Sequence, residues 1–180
     1  MKIDDIRIDL KGHDLLLRNA TEDDAELLIE YLKITNGETR FLVREPEEIT
    51  VTVEQEKEFI QRQKEAEGNI MLLGFLDGKF VGNCALNGFG RFRFRHRVSL
   101  GIALYQEFTG MGIGKVMLET LIDLAKEMGY EQLELEVVAD NERAIALYKK
   151  MGFEICGTTP NAMKYKDSTY ADEHKMIKYL

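Results

Sequence analysis

Tryptophan is absent from this 180-residue sequence, and proline, cysteine and histidine are scarce at two, two and three copies. So little proline excludes a collagen-like or proline-rich extended chain. Cys84 and Cys156 are too few for a disulfide framework, and both read as reduced, buried small hydrophobes. His13, His96 and His174 are isolated, no pair of them has ligand spacing, and no metal is expected. Basic charge is also short: 24 Lys and Arg stand against 32 Asp and Glu, and the formal net charge of -8 opposes attraction to phosphate backbones. Nucleic acid is not an expected partner. Long apolar runs are missing, and the opening MKIDDIRIDLKGHD carries charge where a secretory leader needs an apolar stretch. No membrane segment is expected, and the expected location is the cytoplasm.

What is present suffices for a core. Hydrophobic residues make up 44% of the chain and charged ones 31%, without repeats or linkers, so residues 1–180 are expected to form one domain. Residues 14–18 read as a strand. Thr21 with Asp24, and Thr52 with Gln55, are capping-box signals for two helices, the first carrying Ala25, Leu28, Ile29 and Leu32 and the second ending at Gly68. Residues 35–50 between them read as a long loop of the kind that often binds ligands. Ile70 to Leu86 reads as a hairpin turning at Asp77-Gly78. Arg91 to Arg97 alternates Arg with Phe92, Phe94 and His96 and leads into an apolar strand at 98–104. Val116, Met117, Leu121, Leu124, Ala125 and Met128 then mark one face of a helix that stops at Gly129. A strand at 133–138, a helix at 141–152, a strand at FEICG and a hairpin over 160–180 turning at Lys166-Asp167-Ser168 complete the order. The class is α/β, in the order β–α–α–β–β–β–α–β–α–β–β.

Gly110-Met111-Gly112-Ile113-Gly114-Lys115 joins a strand to a helix, an arrangement that aims backbone N–H groups and a helix N-terminus at an anion. Lys115 at the sixth position excludes the dinucleotide fingerprint, and Thr109 and Val116 exclude a P-loop. From the glycines alone, phosphate binding and tight strand-to-helix packing both remain open.

The loop and the 40 residues after it resemble the GCN5-related N-acetyltransferase (GNAT) family. The family's Gln/Arg-x-x-Gly-x-Gly/Ala motif falls on Thr109, Gly112 and Gly114, with Thr109 departing from Gln or Arg. Its second signature is complete at Asn141, Ala144, Tyr148, Gly152 and Phe153. The resemblance implies a mixed central sheet of about six to seven strands flanked by about four helices. It implies acetyl-coenzyme A as cosubstrate and an N-acetyltransferase acting on a primary amine, an amino acid or polyamine ahead of a protein N-terminus. It also implies cofactor contacts from Ile102, Ala103 and Leu104, from Thr109 to Lys115 (Thr109, Gly110, Met111, Gly112, Ile113, Gly114, Lys115), and from Asn141. Tyr148 is implied as general acid; a core aromatic on an amphipathic helix is the plainer reading. Glu136 is implied as base through the ribosomal-protein alanine acetyltransferase branch, against a surface carboxylate. Lys115 either adds charge at the phosphates or is a solvated first-turn lysine.

The 91–97 run reads as a strand with one solvated basic face, with His96 packed beside the phenylalanines. Residues 35–50 and the C-terminal hairpin are expected to form the acceptor pocket by family analogy. The segments 91–104 and 160–180, read as lying at or near sheet edges, suggest a homodimer.

Overall fold

The computed structural model describes residues 3–180, so the first two residues of the domain expected over 1–180 lie outside the described residues. The chain opens with a hairpin, β1 (Ile6–Leu10) and β2 (His13–Asn19), followed by the helix α1 (Ala25–Glu38) and the helix α2 (Val53–Glu65). Next come β3 (Ile70–Leu76), β4 (Lys79–Gly88) and β5 (Arg97–Leu104), then α3 (Ile113–Glu127), β6 (Gln132–Val138), α4 (Glu142–Lys150), β7 (Glu154–Lys164) and β8 (Tyr170–Tyr179). The strands form a single sheet in the order β1-β2-β3-β4-β5-β6-β8-β7. Among the described residues only β5 and β6 run parallel; every other pair is antiparallel.

Both capping boxes form. Thr21 and Asp24 close a short 3-10 turn ahead of α1, and the Thr52 hydroxyl accepts from the Gln55 amide while the Gln55 side chain accepts from the Thr52 amide at 2.9 Å. Each box satisfies amides that a helix start leaves open. One face of the sheet packs on α3 and α4. Ile113, Met117, Leu118 and Leu121 from α3 are fully covered there, against Leu133 and Leu135 of β6. At ~1.5–3 kcal/mol for each large side chain buried, α3 is held by packing far more than by helix propensity. The opposite face of β2 to β4 packs on α1 and α2 through a smaller cluster around Leu28, Tyr31, Ile60 and Leu73.

Several expectations are corrected. The sheet has eight strands where six to seven were expected: β1 is added, because Ile6, Ile8 and Leu10 alternate with Arg7 and Asp9 and only half bury. FEICG and the first strand of the tail are one long strand, β7. Residues 35–38 belong to α1, where the Thr35 hydroxyl and the Asn36 side-chain amide donate to the carbonyls of Tyr31 and Leu32 one turn back, at 2.8 and 2.7 Å. Residues 91–96 are not a strand. β4 and β5 stop pairing at Gly88 and Val98, and Phe92–Phe94 makes a 3-10 turn in the connecting loop. Its alternation is used for stacking, with Arg95 over Phe92 at 4.0 Å and Arg97 over Phe94 at 4.7 Å, and Phe92 stays 77% exposed. His96 is half-buried beside that turn and not part of the core. β5 is an interior strand, not an edge. Cys84 is buried as expected, whereas Cys156 is exposed on the edge strand β7.

Candidate active site

The ladder between β5 and β6 is short. Arg97, Val98 and Ser99 pair with Gln132, Leu133 and Glu134, and then the two strands part although each continues for several residues. Gly82 helps to hold β5 to the other side. Its φ is +148°, and a Cβ there would lie 2.3 Å from the Ala103 carbonyl oxygen, so no larger residue allows this approach of β4 to β5. The Tyr105 amide donates to the Val81 carbonyl at 3.0 Å. Strand alternation from that bond turns the backbone groups of Gly101 and Ala103 toward β4 and those of Leu100, Ile102 and Leu104 toward the opening. Backbone donors and acceptors therefore line one wall of the gap. Of the three residues expected on this strand, Ile102 and Leu104 present their main chain to it. Ala103 faces the other way, and its carbonyl lies 2.8 Å from the Tyr31 hydroxyl.

The glycine loop sits directly beyond β5. Gly110 and Gly112 have φ of +85° and +95°, and Gly112 is the residue from which α3 starts. The first amide tied into the helix is that of Val116, which donates to Gly112, so the amides of Ile113, Gly114 and Lys115 point out of the helix end as the positive pole of its dipole. Gly114 is helical, and its missing side chain faces Leu104, Leu147 and Ile102. Three expected contributors are engaged elsewhere. The Thr109 hydroxyl donates to the Gln106 carbonyl at 2.6 Å, Lys115 pairs with Glu119 at 2.9 Å, and the Asn141 side-chain oxygen caps α4 by accepting from the Ala144 amide at 3.2 Å. Met111 is exposed and Ile113 is buried in the core. The sequence reading missed Arg143, whose guanidinium lies beside Gly110. Its place inside the Asn-x-x-Ala signature was the available signal.

Tyr148 and Glu136 are on opposite faces of the sheet. Tyr148 lies on α4, 8% exposed, with its ring 6.0 Å from that of Phe153. Burial pushes its hydroxyl up to about 12, so it stays protonated at neutral pH. Glu136 is exposed on β6, past the point where that strand leaves β5. Burial and the neighbouring Glu136 both raise the Glu173 carboxyl above the usual range. Two residues earlier on β6, Glu134 is 3% exposed and ion-paired with Lys175 at 2.7 Å and Arg97 at 3.4 Å. Among the described residues no group of three or more His, Cys, Asp or Glu could hold a metal ion.

A cleft of about 710 Å³ opens between α1, α2 and the surfaces of β3, β4 and β5. Thr35, Asn36, Leu42, Val43 and Arg44 of the 35–50 segment line it, together with Tyr31, Glu56, Asn83, Asn87 and Ala103, which were not foreseen; no described residue of the C-terminal hairpin does. The C-terminal hairpin meets the loop at its far side. Lys166 lies 3.1 Å from Glu45 and 3.0 Å from Glu47, and Arg40 stacks over Tyr165 at 3.9 Å.

A split sheet with an amide-bearing helix start beside it defines an acyltransferase fold, and comparison with known proteins agrees. The chain matches the model of the acetyltransferase (GNAT) family over residues 30–153 and belongs to that family, whose cosubstrate is acetyl-coenzyme A. A GNAT acetyltransferase from Streptococcus pneumoniae superposes with a TM-score of 0.87 at 31% identity, over 92% of this chain and 99% of that one. An L-amino acid N-acetyltransferase of Escherichia coli is 29% identical over 121 residues, 66% of this chain and 73% of its own length. An uncharacterised N-acetyltransferase of Bacillus subtilis is 48% identical over 50 residues, and this match spans only 32% of its length.

Proposed function

We propose that this chain transfers the acetyl group of acetyl-coenzyme A to the primary amine of a small molecule. The observation that carries the reading is the opening between β5 and β6 after Ser99, with the α3 amides on one side and a cleft of small-molecule size on the other. Acetyl-coenzyme A supplies an activated thioester. The outward amides of Ile113, Gly114 and Lys115 and the Arg143 guanidinium suit its diphosphate, and the free main chain of Ile102 and Leu104 suits its amide-bearing arm. An amide of this wall is also the natural donor to an oxyanion.

The amine enters from the α1/α2 face, so the leaving thiolate departs toward α4, where the protonated Tyr148 hydroxyl donates to it. Glu136 borders the amine's side and is the proposed proton acceptor, through water. Direct attack needs no protein nucleophile: Cys84 is buried with its thiol pushed well above the usual range, and Cys156 sits on β7, away from the opening. A small acceptor is favoured over a protein N-terminus because the C-terminal hairpin is tied down on the 39–52 loop, Lys166 to Glu45 and Glu47 and Tyr165 to Arg40, which leaves little room for a long chain to enter beside it. Thiol release with acetyl-coenzyme A and a panel of amines, amino acids and peptides tests the reading. Absence of coenzyme A binding by calorimetry would remove it, and binding without turnover of any amine would favour an acyl-coenzyme A sensor.

We also propose a cytoplasmic homodimer. No helix among the described residues is long and apolar enough to cross a membrane. Met176 is fully buried within the chain, but Ile155, Tyr170 and Tyr179 are exposed at 39%, 52% and 71% on the outer hairpin, an area that two-fold pairing would cover. Light scattering that returns the monomer mass at micromolar concentration overturns it.

A further inference from the structure

Glu56 lies in the first turn of α2 and lines the acceptor cleft. The residue is 5% exposed, and its carboxylate has no hydrogen bond or ion pair among the described residues. Its oxygens are not among the sealed, unpartnered atoms of the described residues, so the carboxylate opens to the cleft, where a cationic group arriving from outside would be its partner. The rest of the cleft says what that group accompanies. Its charged lining residues are Glu56, Glu58, Arg44 and Arg62. Arg62 already faces Glu58 at 3.9 Å, one turn along α2. One buried carboxylate and one guanidinium remain, Glu56 and Arg44, close enough for Arg44 to act electrostatically on Glu56. The remaining wall is largely apolar, with Leu28, Leu32, Leu42, Val43, Phe59 and Met71, and it reaches Ala103 on β5, the strand that borders the opening.

We infer that Glu56 and Arg44 are the pair that reads the acceptor, Glu56 holding the ammonium group and Arg44 the carboxylate of a free amino acid with an apolar side chain. One positive and one negative charge on the ligand match one of each in the cleft. A polyamine would bring several cations to a single buried carboxylate and set one of them against Arg44. A peptide N-terminus has its ammonium group but lacks the adjacent carboxylate. The inference rests on the acetyltransferase reading above.

The test uses the whole chain, with L-amino acids of apolar side chain, each paired with its methyl ester and its decarboxylated amine, and with spermidine and a short peptide as further acceptors. The expected result is a kcat/KM at least ~10-fold higher for an amino acid than for its ester or amine, the worth of one charge-assisted contact. Arg44→Ala lowers kcat/KM for the amino acid by ~10-fold or more and removes the preference over its ester and amine. Glu56→Gln raises the amino acid KM by ~10-fold to ~100-fold and leaves the KM for acetyl-coenzyme A unchanged. Burial raises the Glu56 carboxyl, with Arg44 opposing, so folding binds a proton there and stability is lost as pH rises past the ordinary carboxylate range. Glu56→Gln therefore holds or raises the melting temperature at pH 7, which a merely structural carboxylate would not do. Preference for spermidine or the peptide, turnover of no amino acid by a protein that binds acetyl-coenzyme A, or an amino acid preference that survives Arg44→Ala overturns this inference alone. Failure to bind acetyl-coenzyme A overturns the acetyltransferase reading beneath it.

Discussion

The Arg143 guanidinium stands 3.3 Å from the point where a Cβ on Gly110 would lie, which brings a first-turn cation of α4 over the loop that starts α3. It occupies the neighbourhood that Thr109 leaves without charge. Arg143→Ala is expected to weaken coenzyme A binding by ~10-fold, the worth of one charge-assisted contact, and more at low salt. Lys115→Ala, which breaks an exposed pair with Glu119, should shift affinity less than ~3-fold. Calorimetry with coenzyme A on both variants checks the order, and the reverse order removes Arg143 from the site.

Tyr148→Phe deletes one oxygen and leaves the ring against Phe153. No hydrogen bond to that hydroxyl occurs among the described residues, so the melting temperature should stay within ~3 °C. The rate should fall by ~10² or more if the hydroxyl protonates the leaving thiolate. Wild-type turnover in the variant would return Tyr148 to the core.

The two helix-start glycines separate folding from binding. Gly112→Val is a poor probe, because φ of +95° strains any branched residue and lowers stability whether or not a ligand binds there. Gly114→Ala suits better: its new methyl would lie 3.5 Å from a Leu104 methyl, an ordinary contact, and alanine favours the helix by up to ~1 kcal/mol. A variant with an unchanged or higher melting temperature and weaker coenzyme A binding supports close approach of the cofactor. Unchanged affinity assigns Gly114 to packing.

Acid should loosen the start of α1. Burial disfavours the Asp24 carboxylate, but the fork of Arg18 at 2.8 and 2.7 Å and the Thr21 donors outweigh it and hold its pKa below the usual range. The sign is that of a depressed acid: its contribution is complete above the ordinary carboxylate value and is lost as pH falls through the folded one. Asp24→Asn is expected to destabilise by about 2–3 kcal/mol at pH 7 and by much less at an acid pH below the carboxyl's lowered folded value. Chemical denaturation at the two pH values measures the difference.

Legibility followed the range of the interactions. Capping boxes, the Asp77-Gly78 hairpin and the α3 stripe are local patterns, and each formed where its residues stood. The glycine loop and the Asn141 to Phe153 signature, which carry the cofactor half of the proposed site, are local in the same way. The proposed acceptor half was hidden because it is assembled from distant segments: Glu56, Arg44 and Asn83 share a cleft only after α2 has packed against α1 and β3. The 91–97 run failed as a strand because alternation records a two-sided environment without naming it. Here the two sides are arginine and solvent, not core and solvent.

β7 has no bond to the body of the sheet except through β8, which follows it in the chain and lies between it and β6. A nascent chain that has passed Lys164 but not yet laid down β8 therefore displays an eleven-residue strand with two open edges. Pro160 and the register break between Thr159 and Met163 keep that strand from offering a continuous ladder to another chain. During synthesis these irregularities act as a guard against misassembly, and their removal should appear as lower soluble yield before any change in the finished protein's stability.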